Sequence, residues 1–235
     1  MPGPLPRRLL HPGLLLFTAS LVLFWAFPQI DLAVSGWFHD PELGFYPKNA
    51  ADPDPRPGHW LFGFLYWFAP RLNYLFAALL IPGLMLSASR RFPALVRERR
   101  RIAYLLLVLA LGPGLLVNSV LKEHSGRARP ADIREFGGSH VFTPAGVPAD
   151  QCTTNCSFVC GHCSAGFYFI ALGFVSRHRR RWFTFGILYG SLVSLARIAQ
   201  GGHFLSDAVF SFFAVYLTAA LLHRLMFQHA PSPFR

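Results

Sequence analysis

Apolar residues form six runs along the chain, separated by segments that carry most of its charged residues. A helix needs about 20 mostly apolar residues to cross a bilayer. We therefore predict an all-α polytopic membrane protein, in which six transmembrane helices form a helical bundle in one domain over residues 1–235. The predicted crossings are Pro12 to Ile30, Leu72 to Ser87, Ile102 to Leu121, Gly161 to Val175, Trp182 to Ala199 and Phe204 to Leu222.

The chain between the first two predicted crossings, from Asp31 to His59, is polar and contains several prolines. Its lack of periodicity predicts an irregular extramembrane loop. An aromatic stretch from Trp60 to Ala69 follows, and Pro70 and Arg71 separate it from the next apolar run. We predict that this stretch forms its own helix at the membrane surface, where tryptophan is enriched.

Composition and charge narrow the class of protein. Hydrophobic residues make up 53% of the 235 residues and charged residues 14%, which is too apolar for an ordinary soluble domain. The net charge of +11 would suit nucleic-acid binding, but the basic residues lie mostly in short loops between apolar runs. Six crossings put both termini and the loops 90–101 and 177–181 on one side, together with 14 of the 22 basic residues, Arg7, Arg8 and Arg235 among them. The positive-inside rule predicts that this side is cytoplasmic, and we expect no nucleic-acid partner.

The stretch from Arg197 to Asp207 places three ionisable side chains among apolar residues. Such groups in a membrane protein are functional candidates unless they pair with each other. His203 and Asp207 are four residues apart and would share one helix face, so the carboxylate can orient the imidazole and leave its other nitrogen free. This arrangement indicates an activated histidine, acting as a nucleophile or a general base. The alternative is a neutralised ion pair that joins two helices.

A second charged group follows the third predicted crossing directly, from Lys122 to Pro130. Lys122 and Arg129 bring cations to one place, which suits an anion with several oxygens. The alternative is a basic cluster that contacts lipid head groups, normally a cytoplasmic feature. The predicted topology places this group on the opposite side.

The fourth predicted crossing begins with Gly161 and His162. A helix N-terminus offers free backbone N–H groups to an anion, and His162 would place an acid beside it. A histidine at a helix start is otherwise a cap or a packing residue. All three groups lie on one predicted membrane face.

Taken in order, the three groups resemble the three signatures of the type 2 phosphatidic acid phosphatase superfamily. The matching residues are Lys122 with six residues before Arg129 and Pro130, then Ser157 to His162, then Arg197 with five residues before His203 and three more before Asp207. The resemblance covers roughly residues 122–207, and the six-helix topology extends it over the chain.

The resemblance implies a role for each residue of the site. His203 would attack phosphorus and form a phosphohistidine, with Asp207 orienting it, and His162 would protonate the leaving oxygen and then activate water. The substrate's phosphoryl oxygens would be held without a metal or another cofactor, by Lys122, Arg129, Arg197 and the Gly161 amide. Such cations and N–H groups can stabilise the spread negative charge of phosphoryl transfer.

The resemblance also implies a substrate and a location. The residues around the motifs are similar to bacterial lipid A 1-phosphatases and undecaprenyl-diphosphate-acting members. We expect a phosphatase that hydrolyses a lipid monophosphate or diphosphate at the periplasmic face of a bacterial inner membrane, with lipid as its partner and no obligate protein partner. The loop before Trp60 and the aromatic stretch would form the lipid entrance. Phosphate transfer to a second lipid, or a transporter or scaffold without hydrolysis, remain alternatives.

One position departs from the family pattern, which usually reads Pro-Ser-Gly-His where this chain has Val159-Cys160-Gly161-His162. A thiol donates more weakly than a hydroxyl, so Cys160 would make a weaker phosphate contact than the usual serine.

All four cysteines, Cys152, Cys156, Cys160 and Cys163, lie within twelve residues. Cys160 and Cys163 enclose the tetrapeptide of protein disulfide isomerases, so a membrane thiol–disulfide oxidoreductase is a rival hypothesis. Zinc binding by the cysteines and His162 is another. In an oxidising periplasm the cysteines would instead form disulfides that pin the loop to the helix start, in one of three full pairings.

Overall fold

The computed structural model describes residues 10–228, and the regular structure in that range is helical. The predicted all-α class is therefore confirmed. The helices are α1 (Leu10–Ala26), α2 (Gln29–Gly36), α3 (His59–Leu86), α4 (Pro93–His124), α5 (Gly161–Phe167), α6 (Ile170–Val175), α7 (Arg179–Ala199) and α8 (Leu205–His223). Helix α4 is wound as a π-helix over Ala110–Leu121, around Pro113.

Four of these helices, α3, α4, α7 and α8, are long and apolar enough to cross a membrane. Helices α1 and α2 meet at an angle of 82° and add a fifth crossing if they form one broken span. The remaining predicted crossing, Gly161–Val175, has its predicted bounds, but it is shorter than these spans and is divided into α5 and α6. The six predicted crossings are thus confirmed only as a bundle of four or five. The predicted cytoplasmic residues Arg7, Arg8 and Arg235 lie outside the described residues.

The prediction of a separate surface helix from Trp60 to Ala69 is wrong, since α3 continues from His59 to Leu86. Pro70 lies inside this helix, and membrane helices tolerate proline because neighbouring groups satisfy the freed backbone. Arg71 folds back so that Nη1 donates to the Trp67 carbonyl oxygen at 2.7 Å, and its guanidinium lies 4.1 Å from the Trp67 ring centroid. The charge is thereby accommodated beside the helix without ending it.

The predicted loop from Asp31 to His59 is wrong at its beginning, because Asp31 lies in α2 and is fully buried. The part of the segment between α2 and α3 is irregular, apart from a turn closed by Asp40 and Gly44. The Arg56 guanidinium holds this part together by donating to the backbone carbonyls of Gly44 and Phe45. Tyr46 N then donates to Ala199 O at 3.0 Å, which ties the loop to the end of α7.

Helices α5 and α6 lie at the centre of the bundle and pack against α7 and α8. An added Cβ at Gly166 of α5 would lie 2.8 Å from the Gly190 Cα of α7, so only glycine allows these helices to approach so closely. Tyr104, Tyr168 and Phe174 are buried in the largest apolar cluster, which fills the bundle on the far side of α5 from the motifs. This packing brings the end of α4 and the beginnings of α5 and α8 together.

Candidate active site

The three sequence motifs meet at one end of the bundle. Backbone hydrogen bonds join the first motif to the second, from Cys156 N to Lys122 O at 3.0 Å and from Ser157 N to Arg127 O at 2.9 Å. An added Cβ at Gly161 would lie 3.6 Å from Lys122 Nζ, so the lysine reaches the start of α5. Motifs separated by dozens of residues in the chain therefore share one site.

His203, the predicted nucleophile, lies between α7 and α8 and is almost fully buried. Its Nδ1 lies 2.7 Å from the Ser157 carbonyl oxygen and 3.6 Å from Asp207 Oδ2. Because a carbonyl only accepts hydrogen bonds, Nδ1 carries the proton and Nε2 keeps its lone pair. Burial lowers the pKa of His203 to about 4, although Asp207 opposes this shift. The imidazole is therefore neutral at pH 7, as a nucleophile requires.

Asp207 is held at the first turn of α8 by contacts to both carboxylate oxygens. Oδ1 accepts from Arg127 Nη1 at 2.6 Å, and Oδ2 accepts from Ser157 Oγ at 2.5 Å and from Phe204 N at 2.9 Å. The carboxylate thus orients His203 chiefly through Ser157, whose hydroxyl bonds Asp207 and whose carbonyl bonds the imidazole. Direct contact between the two predicted partners is secondary.

Arg197 is buried at the end of α7 and faces the same site. Nη1 donates to Gln200 Oε1, and Nε has no hydrogen-bond partner among the described residues. An added Cβ at Gly202 would lie 2.1 Å from Arg197 Nη2, so the backbone passes directly beside the guanidinium. The guanidinium carbon lies 4.8 Å from the Tyr66 ring, which stacks on His162 with centroids 4.5 Å apart. A buried guanidinium with a free N–H is suited to bind an anion.

His162 lies at the first turn of α5, within electrostatic range of His203 and of the three predicted phosphate-binding cations, Lys122, Arg129 and Arg197. Arg129 Nη2 also donates to Asn155 O at 2.6 Å, which fixes it against the loop before α5. The structure therefore brings together the predicted histidines, aspartate, cations and Gly161 backbone.

Cys160 is the exception among the predicted substrate contacts. Its sulfur is fully buried, is bonded to Cys163 and accepts a hydrogen bond from Cys163 N, so it has no proton to donate to a phosphate. The second disulfide joins Cys152 and Cys156. All four cysteines are thus paired, which removes the thiolates that a zinc site would need.

The sequence prediction assigned no role to five residues of the site. They are Asp31, Lys48, Tyr66, Arg127 and Ser157. The loop that carries Lys48 is fixed to α7 by Tyr46 and by a hydrogen bond from Gln200 Nε2 to Pro47 O at 3.1 Å. Lys48 is exposed at the rim of the site. Partial desolvation lowers its pKa, and the nearby charges of Arg197 and Arg129 lower it further. For Asp31, the available signal was a charged residue at the end of an apolar run.

Comparison with known proteins agrees with the motif assignment. The PAP2 superfamily model matches residues 102–231. A lipid A 4'-phosphatase from Francisella tularensis subsp. novicida is 31% identical over 92% of this chain and 95% of its own length. A Rhizobium leguminosarum protein of the same name is 34% identical over 87% of this chain and 90% of its own. No solved structure matches the chain significantly. The chain therefore belongs to the PAP2 superfamily of lipid phosphatases, as its three motifs predicted.

Proposed function

We propose that this phosphatase removes the 4'-phosphate of lipid A by way of a phosphohistidine at His203. The observation that carries the proposal is a buried imidazole whose Nδ1 faces the Ser157 carbonyl oxygen, placed beside the cations that would hold a phosphate. Relatives that match nearly the whole chain bear the name lipid A 4'-phosphatase, which supports this substrate.

Each residue has a defined part in the proposed reaction. The Nε2 lone pair of His203 attacks phosphorus while the phosphorus–oxygen bond to the lipid breaks. His162 gives its proton to the leaving oxygen, and it then takes a proton from the water that attacks the phosphohistidine. The dianionic phosphate offsets the positive charge around His162 and so favours the imidazolium that this role needs. The cations and the Gly161 amide stabilise the charge on the transferring group.

The position of the phosphate on lipid A distinguishes this proposal from the sequence-based expectation. The residues flanking the motifs resemble 1-phosphatases and undecaprenyl-diphosphate-acting enzymes, whereas the relatives' names specify the 4' position. We propose the 4'-phosphate as the preferred substrate and the 1-phosphate as its competitor. Undecaprenyl diphosphate serves as the comparison substrate.

We further propose that the chain crosses the bacterial inner membrane six times, with the site at the periplasmic face and both termini in the cytoplasm. In this arrangement the α1–α2 pair and the α5–α6 pair each supply one crossing. A site at the ends of membrane helices lets a phosphorylated head group arrive while its acyl chains stay in lipid. Alkaline phosphatase and fluorescent protein fusions at the C-terminus would test the orientation, and periplasmic activity there would contradict it.

The decisive experiment measures phosphate release by the detergent-purified protein with EDTA present. Bisphosphorylated lipid A is the substrate, mass spectrometry identifies which phosphate is lost, and undecaprenyl diphosphate is run in parallel. We expect loss of the 4'-phosphate by the parent and none by His203→Ala. Loss of the 1-phosphate alone would correct the position, and phosphate found on a second lipid would indicate a transferase. No release from any lipid would refute the proposal.

A further inference from the structure

A chain of buried charges runs from α2 to the proposed nucleophile. Arg127 Nη2 donates to Asp31 Oδ2 at 2.8 Å, and Arg127 Nη1 donates to Asp207 Oδ1 at 2.6 Å. These three side chains are 1% exposed or less, so solvent does not screen their charges. One guanidinium is therefore shared by two carboxylates.

Ser206 fixes Asp31 in this position. Its backbone N–H donates to Asp31 Oδ1 at 2.8 Å and its hydroxyl to Asp31 Oδ2 at 2.5 Å. Ser206 directly precedes Asp207 in α8, so α2 is attached to the helix turn that orients His203. The Arg127 side chain is held from a third direction, by a bond from Nε to the Thr143 carbonyl oxygen at 2.8 Å.

The formal charges of this buried group do not cancel in the resting protein. The oxygens of Asp31 and Asp207 accept hydrogen bonds from N–H and O–H donors, as ionised carboxylates do. The two carboxylates then contribute two negative charges and Arg127 one positive charge, while His203 is neutral. The group therefore carries one net negative charge until the imidazole becomes positive. Phosphorylation of Nε2 produces that positive charge, because Nδ1 keeps its proton.

The other charges near His203 belong to the phosphate side of the site. They are those of Arg197 and Lys122, with His162 beside them. In the proposed reaction these cations face the bound phosphate dianion and the charge that spreads over it. These cations therefore do not balance the net negative charge of the buried group of Asp31, Arg127 and Asp207 before phosphoryl transfer.

From this geometry we infer that Asp31 is a positioning residue of the reaction. Asp31 shares the Arg127 guanidinium with Asp207, so Arg127 does not neutralise Asp207 completely. Asp31 also supplies the negative charge that becomes balanced when His203 forms the cationic phosphohistidine. This inference rests on the proposed function. It assigns a reaction role to a residue outside the segment 102–231 that matches the family.

The test compares single-turnover phosphate transfer by the parent, Asp31→Asn and the double variant Asp31→Asn/Arg127→Gln, using ³²P-labelled lipid A and an alkaline quench that preserves phosphohistidine. Asp31→Asn removes the balancing charge, and we expect transfer about tenfold slower, equivalent to one pKa unit of lost stabilisation of the His203 cation. The double variant restores charge balance, because Asp207 alone then faces the His203 cation. We expect it to transfer phosphate several times faster than Asp31→Asn.

Ser35→Ala is the matched control, because Ser35 is buried on the same helix and its hydroxyl has no hydrogen-bond partner among the described residues. We expect this variant to transfer phosphate at the parental rate. A purely structural role for Asp31 predicts that the double variant is at least as slow as the single one, and that outcome overturns the inference. Unchanged transfer by Asp31→Asn overturns it as well.

If Asp31→Asn yields no folded protein, the test compares the double variant with the parent instead. The double variant leaves no buried arginine unpaired. Near-parental transfer supports the charge balance, and a tenfold loss overturns it. A parent that releases no phosphate from any lipid refutes the proposed function itself. The two failures are therefore distinguishable.

Discussion

Replacing Gly161 by alanine tests whether the start of α5 binds phosphate. The new Cβ would lie 2.6 Å from Asn118 Oδ1 and must move about 0.8 Å away to reach an ordinary contact of 3.4 Å. Asn118 cannot yield freely, because its Nδ2 donates to the Pro113 carbonyl oxygen at 2.7 Å. Either that bond breaks or the first turn of α5 shifts away from Lys122.

The effect of each of these two changes can be estimated. Breaking the Asn118 hydrogen bond costs about 1 kcal/mol of folding free energy. A displacement of nearly 1 Å at a group that positions the reacting phosphate lowers turnover by roughly 10- to 100-fold. We therefore expect Gly161→Ala to lose far more kcat than stability.

The assay is kcat for phosphate release, measured together with thermal unfolding in the same detergent. Gly112→Ala is the control, because its Cβ would lie 3.7 Å from Thr218, an ordinary contact, and we expect kcat close to the parental value. Adding Asn118→Ala to Gly161→Ala removes the obstructing side chain and should restore part of kcat. Parental kcat in Gly161→Ala, or an equal loss in Gly112→Ala, would refute a phosphate site at this helix start.

Three further predictions concern the rim, the nucleophile and the disulfide. Lys48→Met should raise KM about fivefold with little change in kcat, since one exposed charge beside Arg197 contributes about 1 kcal/mol to anion binding; an unchanged KM contradicts this. Because burial lowers the pKa of His203 to about 4, the acid limb of kcat/KM should follow the phosphate pKa of each ester substrate; a limb fixed near pH 6.5 for two such esters contradicts the lowered pKa of His203. Cys160→Ser/Cys163→Ser should keep phosphatase activity and lose about 2 kcal/mol of stability by loop-closure entropy; an unchanged melting temperature contradicts the stabilising role of the bond.

Several helices were predictable because their apolar runs decide their length. Helix α8 differs by one residue from its predicted start and end, and α7 has its predicted end. The error at α3 arose because proline breaks helices in water but is tolerated where neighbouring helices surround it. The error at Asp31 arose because a charge at the end of an apolar run was interpreted as the beginning of a loop. Burial of that charge depends on Arg127, a partner 96 residues away.

The sequence predicted most residues of the site, but it did not predict which of them contact each other. Motif spacing brought His162, His203 and Asp207 to one place, as the structure shows. It did not indicate that the closest partner of the imidazole is the Ser157 carbonyl oxygen, because a backbone acceptor leaves no trace in residue type. Nor did it reveal that Arg127 pairs with Asp207, since any cation of the first motif was equally eligible.

The shared guanidinium also has a consequence for how the protein is made. Asp31 leaves the ribosome before its partners, because Arg127 follows 96 residues later and Ser206 follows 175 residues later. A carboxylate without a partner is costly in the hydrocarbon, so during synthesis it must stay at the hydrated edge of the bilayer. The contacts of Asp31 can form only once Arg127 and Ser206 have been synthesised, so the active site is completed only after α8 has been made.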